Sequence, residues 1–313
     1  MTKPAGHAPA GALIGEENRP RGDVPLGRDL IALAKPGITT MVVLMTAGTW
    51  TLAPTQAGAS VLLHACGGVA LSSAAANALN MWVEREGDGR MARTRNRPLP
   101  AGRMRASTVL AIGVSAGIAA ALWLAIAVNL LTSALATGAL LLYVLVYTPA
   151  KRRTTQALAI GAIPGAAPPL IGWAAATGTL NAGALVLFLV LAIWQLPHFL
   201  AISLYRKRDY AEAGILIIPV VRGDEIAKLQ SVLYTVLLTP VSLLLVPLGL
   251  AGYLYFVLAS LLGLGFLLYS LVGLEEGAGS RWARSFFLYS LIYLPALVAA
   301  LAADRWLEAW LST

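Results

Sequence analysis

S-V-L-L-H-A-C-G-G-V-A-L-S-S-A-A-A-N-A-L-N-M-W-V, residues 60–83, holds no Lys, Arg, Asp or Glu, and the chain turns abruptly charged at Glu84. A helix needs about 20 residues to cross a ~30 Å hydrocarbon layer, and this run is long enough. Comparable runs lie near 38–53, 106–127, 130–149, 156–176, 182–205, 226–248, 251–273 and 284–303, which makes nine. They are continuous and do not alternate with a period of two. Inside lipid the backbone must satisfy itself within the segment or by barrel closure, so continuous runs of this kind mean helices. The expected fold is an all-α membrane protein, a bundle of about nine transmembrane helices whose central cavity is capped by loops 84–105 and 206–224.

Composition agrees. The chain is 58% hydrophobic and 12% charged, against roughly 25% charged in an ordinary soluble domain. A net charge of +8 would suit a nucleic-acid binder until the basic residues are placed on the nine-helix topology. All but Arg305 of the 23 Lys and Arg side chains then fall on one side. That is the positive-inside bias of a membrane protein with its N-terminus and even-to-odd loops in the cytoplasm, and no nucleic-acid partner is expected. Residues 1–28, rich in Gly, Pro and Ala, read as a disordered cytoplasmic tail, with 29–313 as a single transmembrane domain. Cys66, the one cysteine, has no intrachain disulfide partner and reads as a packing residue.

The two long charged loops lie four helices apart, a spacing that suggests an old repeat with both loops meeting over a common cavity. Gly161, Pro164, Gly165, Pro168, Pro169 and Gly172 predict a broken fifth helix, tolerable where neighbours or a cavity satisfy the freed backbone.

Residues 80–98, N-M-W-V-E-R-E-G-D-G-R-M-A-R-T-R-N-R-P, crowd three carboxylates and five arginines at the hydrocarbon boundary. Asn80, Glu84 and Asp88 stand four apart and share a helical face. Such a row of hard oxygens suits Mg²⁺, which takes one or two carboxylates and completes its shell with water and phosphate oxygens. Arg93 and Arg97 follow, again four apart, as bidentate phosphate donors. A polar helix end with snorkelling arginines would give the same pattern. Residues 194–199, W-Q-L-P-H-F, place Trp194, Gln195 and His198 in an otherwise uncharged helix. For His198 a structural hydrogen bond and ligand binding are equally good readings. Asp209 is either a partner of Arg206 or Lys207 or a second metal ligand facing Asn80 and Asp88.

The first of these motifs, with R-T-R-N-R-P at 93–98, resembles the UbiA superfamily of intramembrane prenyltransferases. Y-T and K-R-R-T within 147–154, P-P-L-I-G-W at 168–173, W-Q-x-P-H-F and D-Y-x-x-A-G at 209–214 resemble its haem-farnesylating branch. Glu84 replaces the usual aspartate of the first motif, and the second aspartate motif is reduced, with Ala213 four residues after Asp209. The resemblance implies farnesyl diphosphate and haem B as substrates, with haem O and diphosphate as products. It also implies Mg²⁺ as cofactor on Asn80, Glu84, Asp88 and Asp209, diphosphate on Arg93, Arg97 and Lys151, and haem on His198, Trp194 and Gln195. The protein would sit in the cell membrane with its site loops cytoplasmic, and proteins of haem synthesis or oxidase assembly are candidate partners besides the bilayer. Two rivals stand. A relative acting on an aromatic acid or quinone precursor should carry a fuller aspartate motif and no W-Q-x-P-H-F, and a transporter would place ionisable groups nearer the bilayer midplane.

Overall fold

The computed structural model of the protein describes residues 25–55, 57–89 and 94–311; the tail 1–24 and Arg93 lie outside the described residues. Every regular element among them is helical: α1 Leu26–Ala34, α2 Pro36–Leu52, α3 Ala59–Asp88, α4 Ala106–Ala127, α5 Leu130–Leu141, a π-helical segment Leu142–Tyr147, α6 Thr148–Ala150, α7 Ala157–Gly165, α8 Ala167–Thr177, α9 Ala182–Tyr205, α10 Lys207–Glu212, α11 Ile218–Val221, α12 Asp224–Leu243, α13 Tyr253–Val272 and α14 Ser280–Leu311. Among the described residues eight helical stretches are long and apolar enough to cross a membrane, and the bent pair α1–α2 makes a ninth. The protein is a multi-pass membrane protein.

The first span departs from the expected 38–53. It begins inside the segment read as tail, at Leu26, and bends by 46° between α1 and α2. The hinge is Lys35, which adopts φ 46° and ψ 71°. Pro36 disfavours the right-handed helical region for the residue before it. The left-handed conformation costs a residue with a side chain on the order of 1 kcal/mol, so contacts of Lys35 must hold it there. Asp29 shows why the helix starts early: it is buried and receives the Arg103 guanidinium through Nε (3.0 and 3.1 Å) and Nη2 (2.8 Å). The N-terminal helix is thereby clamped to the loop after α3.

The expected break in the fifth span falls at Ala166, between α7 and α8. Close approach there needs a glycine: a Cβ on Gly172 would collide with the backbone oxygen of Thr46 in α2. Asn129 and Asn181 cap α5 and α9, accepting from the backbone N–H groups of Thr132 and Ala184; these caps satisfy donors that would otherwise be orphaned at helix starts. The largest apolar cluster joins α9, α12, α13 and α14 through residues such as Trp194, Tyr255, Phe266 and Phe286, and smaller clusters join α2, α3, α4, α5 and α8. The space left between the two groups is the central cavity.

Candidate active site

The cavity holds about 820 Å³, and both long loops reach it: Arg97 from the loop after α3, and Tyr210, Ala213 and Ile215 from the segment after α9. Its polar end is lined by Lys35, Asn80, Glu84, Asp88, Arg97, Lys151 and Arg152, and its other wall by Met41, Met45, Leu191, Trp194, Gln195, His198, Phe199 and Leu294.

The predicted helical row is present. Asn80 and Asp88 are buried on α3, and Asn80 Nδ2 donates to Glu84 Oε2 at 3.0 Å and to Thr148 Oγ1 at 3.1 Å. Thr148 in turn donates to the Tyr143 carbonyl at 2.8 Å. Each carboxylate meets a cation: Lys151 Nζ lies 2.9 Å from Glu84 Oε1, and Arg97 Nη1 lies 2.5 Å from Asp88 Oδ2. Burial alone would lower the Lys151 pKa, but Tyr147, Glu84 and Tyr143 more than offset it and hold the ammonium above the ordinary lysine range. Its Nζ also stands 4.6 Å from the centre of the Tyr147 ring, a cation–π contact.

Several residues here were given no site role from sequence, although Tyr147 and Arg152 lie within the Y-T and K-R-R-T motifs. Lys35 Nζ reaches Asn80 Oδ1 at 3.0 Å, which is the contact that holds its left-handed backbone in use. Arg152 extends beside α3 into the space that a side chain on Gly87 would occupy. The π-helical segment brings Tyr143 and Tyr147 to the cavity; π-helical turns are frequent at functional sites. Lys35-Pro36 at the head of a span was the one signal available for Lys35. For the tyrosines, the π-helical register that turns both toward the cavity has no marker in a continuous apolar run.

Asp209 is corrected. Its carboxylate lies 3.4 Å from Arg206 Nη1, its side chain is half exposed, and it is absent from the cavity lining while its neighbour Tyr210 lines it. Arg206, three residues before it, gives the carboxylate a charged partner at the solvent-exposed surface, and Glu84 and Asp88 already pair with Lys151 and Arg97 at the polar end. Among the described residues no group of three or more His, Cys, Asp or Glu side chains forms a metal site. The oxygen set on hand is Asn80, Glu84 and Asp88, two carboxylates and an amide, which is a donor set of the kind Mg²⁺ accepts when phosphate supplies the rest.

On the opposite wall, Trp194 and His198 stack with ring centres 4.8 Å apart, and Phe287 lies 4.8 Å from the imidazole on α14. Trp194 Nε1 donates to the Ser290 carbonyl at 2.9 Å, and His198 Nδ1 is 2.8 Å from Ser290 Oγ. One ring nitrogen of His198 thus makes a structural bond while the side chain lines the cavity, so the two readings of this residue are compatible. Gln195 lines the cavity too and donates through Nε2 to the Leu191 carbonyl at 3.1 Å.

Among the described residues the arrangement is a polar end with four cations against two carboxylates, continuous with an apolar, aromatic chamber. It can hold a polyanionic head and an apolar tail together. Residues 38–292 match the model of the UbiA prenyltransferase family. The chain is 48% identical to the protoheme IX farnesyltransferase of Anaeromyxobacter dehalogenans, over 89% of this chain and 94% of that one. It is 47% identical to that of Myxococcus xanthus, over 88% and 94%. Its fold is similar to a solved digeranylgeranylglyceryl phosphate synthase structure (TM-score 0.77, 15% identity, 88% and 97% covered). It is also similar to a UbiA homolog from Archaeoglobus fulgidus bound to DMAPP and Mg²⁺ (TM-score 0.63, 14% identity, 88% and 99% covered). With most of its length matched and its polar motifs gathered at one cavity, the chain belongs to the UbiA prenyltransferase family.

Proposed function

We propose that this prenyltransferase joins the farnesyl group of farnesyl diphosphate to a vinyl group of haem B, with addition of water, giving haem O and diphosphate. The observation that carries the reading is the near-half identity, over almost full length, to protoheme IX farnesyltransferases. The chamber is consistent with it, since a flat aromatic acceptor and a farnesyl tail both need apolar walls.

The diphosphate end is read at Lys35, Arg97, Lys151 and Arg152, with Arg93 assigned beside them from sequence. Asn80, Glu84 and Asp88 would hold Mg²⁺, which when bound supplies Lewis-acid neutralisation of the departing diphosphate. The cations place fixed positive charge where negative charge accumulates as the C1–O bond of the allylic diphosphate breaks. The electron pair of that bond leaves with diphosphate. The terminal vinyl carbon of haem then supplies the pair that forms the new bond to C1, leaving a cation on the porphyrin-side carbon. Water adds there and releases a proton. Met41, Met45, Leu191 and Leu294 keep water from the farnesyl cation in the interval, which prevents loss to farnesol. Trp194 and His198 offer the haem a stacked aromatic wall.

The charge bias supports an orientation with the polar end of the cavity at the cytoplasmic face of the cell membrane. Purified protein given haem B, farnesyl diphosphate and Mg²⁺ should yield a pigment heavier by one farnesyl unit plus water. No such product, with prenylation of 4-hydroxybenzoate instead, would transfer the protein to the quinone-directed branch.

A further inference from the structure

His198 has two ring nitrogens, and Ser290 decides which carries the proton. Ser290 is fully buried on α14, and its hydroxyl has one hydrogen to give. Its Oγ lies 2.6 Å from the Phe287 carbonyl oxygen, which can only accept, and 2.8 Å from His198 Nδ1. Both contacts are satisfied together only if Ser290 donates to Phe287 and accepts from an Nδ1–H. His198 is then neutral with its proton on Nδ1 and a lone pair on Nε2. Among the described residues Nε2 has no hydrogen-bond partner, and the side chain lines the cavity. The same serine receives Trp194 Nε1–H through its carbonyl, at 2.9 Å. Trp194 and His198, one helical turn apart on α9, are thus pinned to a single residue of α14 and stacked on each other.

We propose that Ser290 is a positioning residue for the acceptor: it fixes His198 as the Nδ1–H tautomer and thereby presents the Nε2 lone pair to the iron of haem B. This rests on haem B being the acceptor. A hydrogen bond on the far nitrogen of a metal-binding histidine orients the ring and strengthens it as a donor, and its loss weakens metal affinity by about 10–100-fold.

The test uses the full-length protein in detergent micelles with three probes: hemin, zinc protoporphyrin IX and metal-free protoporphyrin IX. Ser290→Ala should weaken hemin and zinc protoporphyrin about tenfold or more, alter the hemin absorption spectrum, and leave metal-free protoporphyrin binding and the KM for farnesyl diphosphate unchanged. Ser290→Thr, which keeps the hydroxyl, should restore both metalloporphyrins. Equal weakening of all three porphyrins, or of none, would mean that Ser290 only packs, and would overturn the proposal. If Ser290→Ala does not fold, Ser290→Cys, whose sulfur is a weak acceptor, is read in the same way. His198→Ala separates this idea from the reading beneath it. Metal-selective loss in His198→Ala without loss in Ser290→Ala sinks the serine role alone, whereas no metal-selective loss in either removes the haem-facing reading of His198 and the serine role with it.

Discussion

Replacing Lys151 by Met and Glu84 by Gln, singly and together, separates holding the bundle from holding the substrate. The pair closes at 2.9 Å with each side chain 19% exposed. Lys151→Met would leave Glu84 only the Asn80 amide as a close donor. Stranding one member of a buried ion pair costs about 3–5 kcal/mol, and the residual exposure puts this one near the lower end, about 3 kcal/mol. In Glu84→Gln the side-chain oxygen still accepts from Lys151 or Asn80, so the cost is smaller, about 1–2 kcal/mol. If the two losses simply added, the double variant would fall by about 4–5 kcal/mol. Because both charges leave together, a favourable coupling of about 1–3 kcal/mol should return it close to the Lys151→Met level or above. Activity should not follow. In the proposed complex Glu84 turns to the metal and Lys151 to diphosphate, so each single variant should lose on the order of 10²–10³ in kcat/KM, and the double should do no better than the worse single. Stability is read by SDS-titrated unfolding in mixed micelles and activity by haem O formation. A double variant that regains activity in step with stability would show the pair to be a strut, and the reasoning would fail.

Asp88→Asn should keep a folded protein, since the amide oxygen can still accept from Arg97, yet lose turnover by on the order of a hundredfold or more; loss of the folded, membrane-inserted state would point to a structural role instead. Arg103→Ala should destabilise by about 3 kcal/mol, because Asp29 is 4% exposed and loses all three of its hydrogen bonds to that guanidinium. The same change should raise the KM for farnesyl diphosphate, since Arg103 also holds the Asn96 carbonyl next to Arg97, and adding Asp29→Asn should recover stability. Gly172→Ala forces a methyl onto the Thr46 backbone and should cost about 1–3 kcal/mol or more, whereas at Gly87 the obstacle is the movable end of the Arg152 side chain. Gly87→Ala should therefore melt near wild type but bind the diphosphate more weakly, and the reverse ranking of the two glycines would contradict the packing.

The spans were legible because the solvent writes them: lipid demands long uncharged helices, so composition and run length sufficed for eight of nine. The first was foreshortened, since Asp29 and Lys35 carry charge that looks like a terminus until Arg103 and Asn80, 74 and 45 residues further along the chain, are seen to pair with them. The acidic row on α3 was legible because it is local, three residues at one helical spacing. What closes it is not local. Lys35, Thr148 and Lys151 reach the row from other parts of the chain, and no periodicity in the sequence encodes which cation meets which carboxylate. Asp209 fails for the opposite reason: its place one turn beyond α9 suggested that it faced the row, while Arg206, one turn before it, offered a nearer partner in water.

The same long-range closure bears on how substrate can enter. At the polar end both carboxylates are already paired, Glu84 with Lys151 and Asp88 with Arg97, and Asn80 Oδ1 is taken by Lys35. A metal ion binding alone would have to displace three cations from these oxygens and leave them facing one another at a largely buried site, where like charges repel more strongly than in bulk water. Diphosphate binding alone would draw the same cations away and strand two carboxylates. If both arrived together, Asn80, Glu84 and Asp88 would hold the metal and Lys35, Arg97 and Lys151 the diphosphate, so every charge that lost a partner would gain another. On the proposed reading the site would admit the metal and the diphosphate as one complex, and Mg²⁺ affinity measured by calorimetry should rise steeply when inorganic diphosphate is present. Equal Mg²⁺ affinity with and without diphosphate would contradict that exchange of partners.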